Sequence, residues 1–70
     1  MKEELRKLIK ELIGIEITED DAIIEIDSID FLDLVMRIED NYGIHIDLES
    51  VSKKISLDDL SRLVENLVKR

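Results

Sequence analysis

The chain has no cysteine and no proline, only two glycines, and a single tyrosine and a single phenylalanine as its whole aromatic content. Without cysteine there is no disulfide staple, no thiolate zinc site and no cysteine nucleophile, so core packing has to supply the stability. Long apolar runs are missing too. The opening stretch MKEELRKLIKELIGI mixes charge with apolar residues, unlike the continuous apolar core of a signal peptide. On that basis the expected location is cytoplasmic, with no membrane insertion. Bases are scarce: 10 Lys and Arg face 18 Asp and Glu, a net charge of -8. Nucleic-acid binding draws on Lys or Arg at each phosphate, so nucleic acid is disfavoured and basic protein surfaces are the expected partners.

At 70 residues the chain has room for one domain, residues 1–70, and no second one. A domain this small buries only about 60% of the surface its unfolded chain exposes, which leaves little material for a deep catalytic cleft. The 44% hydrophobic content is nevertheless that of a folding domain rather than a disordered acidic tail.

Apolar periodicity places the elements. Leu5, Leu8, Ile9 and Leu12 recur at i, i+3, i+4 and i+7, which predicts a helix over Lys2 to Ile13, closed by Gly14 in a left-handed cap. From Gly14 to Asp27, isoleucines alternate with acids around a turn at Thr18 to Asp21. Ile15-Glu16-Ile17 is strand-like, but no partner strand is evident and a lone strand leaves its backbone unpaired, so the segment is expected to be a structured loop. Asp27 or Ser28 can cap a second helix with Ile29, Leu32, Val35, Met36 and Ile38 as its apolar stripe, ending at Tyr42 before Gly43. Asp47 to Lys54 can form one or two helical turns around Leu48 and Val51. Ser56-Leu57-Asp58-Asp59 is a capping-box-like start, and Leu60, Leu63, Val64 and Leu67 carry a last helix to about Lys69. The expected fold is all-α: a small four-helix bundle of three main helices plus one short helix.

Chemistry concentrates at Asp27-Ser28-Ile29-Asp30, a hydroxyl at a predicted helix start after a long loop. A phosphodiester on Ser28 would lie where unpaired N–H groups and the helix dipole favour an anion, although Ser and Asp in such positions are most often plain caps. Along the same helix Asp30, Asp33, Arg37 and Asp40 fall at i, i+3, i+7 and i+10 as a polar stripe flanked by Glu39, with Arg37 placed to pair with Asp33. The remaining candidates are weak. Glu19-Asp20-Asp21 lacks the spacing of a calcium loop, His45 is the only histidine and reads as a surface residue, and Phe31 and Met36 read as core or rim. No nucleophile is paired with a base, so no catalytic residue and no metal site is assigned.

Residues 27–44, DSIDFLDLVMRIEDNYGI, resemble the signature of the acyl carrier protein family, an Asp-Ser-Leu followed by a helix ending Glu-Glu-x-Phe-Gly-Ile. Ile17-Thr18 before it, His45-Ile46-Asp47 after it and Lys53-Lys54-Ile55-Ser56 at the last helix fall in the family's order, so the resemblance runs from about residue 5 to 68. It implies that Ser28 bears a phosphopantetheine arm taken from coenzyme A and added by a phosphopantetheinyl transferase. The arm's thiol would hold acyl cargo, which makes the chain a non-enzymatic, monomeric phosphoprotein of fatty acid biosynthesis or polyketide assembly. Asp27 would help to place the transferase's metal and cofactor. Ile29, which stands where the family most often has Leu, with Asp30, Asp33, Met36, Arg37, Glu39 and Asp40, would meet basic docking patches on acyl-transfer, condensing and modifying enzymes. An interior between Met36, Ile38, Ile55 and Leu63 would shelter part of the cargo. Two departures stand out: Ile24-Glu25-Ile26 replaces the family's Leu-Gly-x in a shortened loop, and Arg37 stands where a small or acidic residue is usual. Rival readings are a carrier of aminoacyl or peptidyl groups, and an unmodified acidic helical adaptor that keeps the carrier fold.

Overall fold

A computed structural model describes residues 1–69; Arg70, the last residue of the expected domain, lies outside the described residues. The chain runs α1 (Lys2–Ile13), β1 (Ile23–Glu25), α2 (Ser28–Tyr42), a 3₁₀ turn (Leu48–Ser50), β2 (Lys54–Ser56) and α3 (Leu57–Val68). The three long helices fall where their periodicity places them. Both glycines close helices with positive φ: Gly14 at 81° donates its N–H to the Lys10 carbonyl at 2.9 Å, and Gly43 at 63° donates to Glu39 at 2.8 Å. A residue with a Cβ would be strained in that left-handed region. At the start of α3, Ser56 Oγ accepts the Asp59 N–H at 3.1 Å, the expected cap.

Three expectations are corrected. The fold is mostly helical, as expected, but it is not purely α, because a small two-stranded sheet joins the helices. Among the described residues there are three α-helices and an antiparallel two-stranded ribbon in which Ile23, Ile24 and Glu25 pair with Ser56, Ile55 and Lys54. The strand partner of the early loop lies beyond α2, out of sight of any local pattern, and Ile15-Glu16-Ile17 is not the strand. Of the one or two helical turns expected over Asp47 to Lys54 a single one forms, of 3₁₀ type and shorter than the span: Asp47 Oδ1 accepts the Glu49 N–H at 3.0 Å, and Val51 is already extended.

The third correction concerns α2. Its buried residues are Phe31, Leu34, Val35 and Ile38, whereas Ile29, Leu32 and Met36 are 78%, 49% and 58% exposed. Phe31, Leu34, Val35 and Ile38 lie at i, i+3, i+4 and i+7, and Ile29, Leu32 and Met36 at i, i+3 and i+7. Both sets satisfy a helical period, so the pattern alone does not choose between the two faces. The core against which the first set packs comes from Leu5 and Ile9 of α1 and Leu57, Leu60 and Val64 of α3, with Ile17, Ile26 and Ile46 closing it from the connections.

Polar contacts fix the long first connection. Arg6 of α1 binds Asp20, the Asp20 carbonyl accepts the Asp58 N–H of α3 at 3.0 Å, and the Asp58 carboxylate pairs with Lys2. The loop is thereby tied to α1 and to the first turn of α3, and Ile26 continues the β1 ladder by donating its N–H to the Lys53 carbonyl.

Candidate attachment site at the start of helix α2

Ser28 is the first residue of α2, and Asp27 before it has the extended backbone of an N-cap (φ -62°, ψ 149°). The Asp27 carbonyl accepts the Phe31 N–H at 2.8 Å, while its carboxylate makes no capping bond. Both residues are exposed.

The ribbon brings a third residue to this point. Past the Glu25–Lys54 pair the ladder continues with Ile26 N–H donating to the Lys53 carbonyl at 3.0 Å, which sets Lys53 beside Asp27 and Ser28. Its ammonium donates to Ser28 Oγ at 2.8 Å. Sequence reasoning did not assign Lys53 to the site. Its only signal was the Lys53-Lys54 pair ahead of Ile55-Ser56, which acquires meaning once the strand pairing is known.

A polar groove of about 490 Å³ opens here, lined by Glu25, Ile26, Asp27, Ser28, Ser52, Lys53 and Lys54. Beside it an apolar hollow of about 430 Å³ runs from Ser28 over Phe31, Leu32, Leu48 and Val51. Among the described residues no carboxylate or imidazole hydrogen-bonds the Ser28 hydroxyl; its partner is an ammonium donor. The hydroxyl can act as an attachment point, but any base that activates it has to come from another molecule. Nor does any group of three or more His, Cys, Asp or Glu among the described residues stand where it could hold a metal ion.

The chain belongs to the phosphopantetheine attachment-site family, whose match spans residues 3–64. It is a carrier domain. It is also similar to a protein of Campylobacter hominis named "Acyl carrier protein", 36% identical over 73 aligned positions that cover 96% of this chain and 92% of the relative. None of the solved structures matches it. As a member of a non-catalytic carrier family this domain is not an enzyme, and its cofactor is covalently attached phosphopantetheine. The site suits such a group. An exposed hydroxyl stands at the rim of a groove, a cation lies 2.8 Å away to meet a phosphodiester, and an apolar hollow adjoins it.

The residues expected to recognise partners divide. Ile29 and Met36 are exposed and, with Leu32 and Leu48, form an apolar strip beside the site. Asp33, Arg37 and Asp40 are exposed and Asp30 is half-buried; Arg37 bonds Asp33 at 3.4 Å, as its spacing predicts. Glu39 departs from this face: its side chain is 25% exposed, and its carboxylate accepts the Ile46 N–H at 2.8 Å and lies 3.2 Å from His45 Nδ1. His45 itself is a surface residue, 89% exposed. The expected cargo shelter is also corrected, because Ile38 is fully buried in the core and Met36 faces outward, so the two cannot line one cavity. No helix among the described residues is long and apolar enough to cross a membrane.

Proposed function

We propose that Ser28 is the attachment serine and that this domain carries acyl groups as thioesters to enzymes of the fatty-acid or polyketide type. The observation that carries this reading is the exposed Ser28 hydroxyl on the first turn of α2, at the rim of a polar groove that it shares with Asp27 and Lys53. In the loading step Ser28 Oγ forms a bond to the phosphorus of the pantetheine phosphate of coenzyme A. The bond from that phosphorus to the bridging oxygen of the pyrophosphate breaks, adenosine 3′,5′-bisphosphate leaves with that oxygen, and the serine proton passes to a base of the phosphopantetheinyl transferase. Once attached, the arm supplies the thiol that this cysteine-free chain lacks. Asp27, exposed and with a carboxylate that makes no capping bond, is suited to helping the transferase place its metal and cofactor.

The outward strip of Ile29, Leu32 and Met36, bordered by Asp30, Asp33 and Asp40, is the proposed docking face. Its apolar part supplies contact, and its acids speed encounter with basic partner surfaces. Arg37, paired with Asp33, reduces that acidity and narrows the choice of partners. In this reading the domain works as a cytoplasmic monomer. One alternative is an adaptor that keeps the fold and leaves Ser28 unmodified, and the shortened loop before Asp27 is the feature that favours it.

The deciding measurement is intact mass after incubation with coenzyme A and a broad-specificity transferase. Wild type is expected to gain one phosphopantetheine and Ser28→Ala none. A folded wild type that gains nothing from several transferases would establish the adaptor instead. Loading of the arm-bearing protein by acyl ligases against aminoacyl-adenylating enzymes then identifies the cargo class.

A further inference from the structure

We infer that Lys53 is a positioning residue that holds the phosphodiester at the root of the arm by an ion pair. The inference rests on the proposed role of Ser28 and extends it to a second side chain. Three observations carry it. The Lys53 ammonium lies 2.8 Å from Ser28 Oγ, so any phosphorus bonded to that oxygen brings its anionic oxygens within reach of the same cation. Second, Lys53 is held there by backbone pairing, since its carbonyl accepts the Ile26 N–H at 3.0 Å immediately before the Asp27-Ser28 step. Third, its charge is uncompensated. Acids outnumber bases 18 to 10; among the described residues Lys2, Arg6, Lys10, Arg37 and Arg62 pair with carboxylates, while Lys7, Lys53, Lys54 and Lys69 form no ion pair, and of these four Lys53 is the one whose ammonium touches Ser28. Lys53 forms no ion pair among the described residues and donates to a neutral hydroxyl instead.

An ammonium placed on a neutral oxygen in an acidic protein is waiting for an anion at that position. Attachment supplies it on the very atom the lysine already touches. Lys53 also lines both the polar groove and the apolar hollow, so pairing there would direct the arm's first atoms along the boundary between them. Lys54, its neighbour, pairs in register with Glu25 across the ribbon and makes no hydrogen bond to Ser28 among the described residues, which makes it the comparison residue.

The test uses competitive amine labelling of wild-type protein before and after loading, with each lysine quantified by peptide mass spectrometry. An acylating reagent reacts only with the neutral amine, and a nearby phosphodiester favours the charged form. The labelling ratio of Lys53 to Lys54 is expected to fall roughly three- to fivefold on loading, the effect of a solvent-exposed ion pair. Phosphorus NMR of the loaded protein gives a second readout: the resonance should move in Lys53→Gln and coincide with wild type in Lys54→Gln. A wild type that gains no arm overturns the Ser28 reading and this inference with it. A wild type that gains the arm while its labelling ratio stays constant overturns the inference alone, whether or not Lys53→Gln can be loaded.

Discussion

Glu39 and Asp40 are neighbours on α2 in different surroundings, the first half-buried and bonded, the second exposed. The Glu39 carboxylate satisfies the Ile46 N–H, and Ile46 is a core residue, so this bond anchors the chain as it leaves the helix through Gly43. Removing the acceptor strands a donor in partly buried surroundings, and Glu39→Ala is expected to cost about 1–3 kcal/mol. Asp40 is exposed and bonds nothing among the described residues, so Asp40→Ala should stay within about 0.5 kcal/mol. Urea unfolding of the two variants checks this; equal effects would return Glu39 to the docking face. Neither role is visible in the sequence, where both are acids on a polar stripe. Ser28 and Lys53 make the same point from the other side, since the serine is marked by its motif and the lysine only by its register in the ribbon.

At the scale of elements, the ribbon does more for the site than its length implies. Ile24 is half-buried opposite Ile55, and Ile26, one step beyond β1, is 2% exposed in the core. Ile24→Ala removes one cross-strand contact and is expected to cost up to about 1 kcal/mol. Ile26→Ala leaves a cavity and should cost about 2–5 kcal/mol. Thermal or urea unfolding measures both, and an Ile24→Ala effect as large as that of Ile26→Ala would show that the ribbon, not the core, holds the connection. The replacement of the family's Leu-Gly-x by Ile24-Glu25-Ile26 fits this architecture, because two of the three residues pair as strand and the third is core.

Across the whole molecule, α1 is joined to the rest by proton-bearing groups whose affinities all move one way. The Tyr42 phenol of α2 is raised above its ordinary 10.0 by burial and then by its bond to Glu4 of α1. The Lys2 ammonium is raised above 10.5, first by its bond to Asp58 of α3, and Arg6 is raised by Asp20. Each group binds its proton more tightly folded than unfolded. The stability this adds is complete below the unfolded value and is lost as pH rises through the folded one. The domain should therefore lose stability from about pH 10 upward. Tyr42→Phe keeps the half-buried ring and removes the phenol, so its stability curve should fall less steeply there, with the Lys2 contribution remaining. Chemical unfolding midpoints across alkaline pH test this, and identical slopes for the two proteins would remove Tyr42 from the account.

What the sequence determined by itself is what local physics controls. Helix ends followed from Gly14, Gly43 and Ser56, because a positive φ or a capping oxygen acts within a few residues. The likeness around Ser28 marked the attachment motif in the same local way. Tertiary structure decided the rest. It selected which of two helical stripes of α2 is buried, since the choice depends on what α1 and α3 present. It paired β1 with β2, since strand partners separated by a helix leave no local periodicity. It also set Lys53 on Ser28, a contact between residues 25 positions apart that exists only once that pairing has fixed the register.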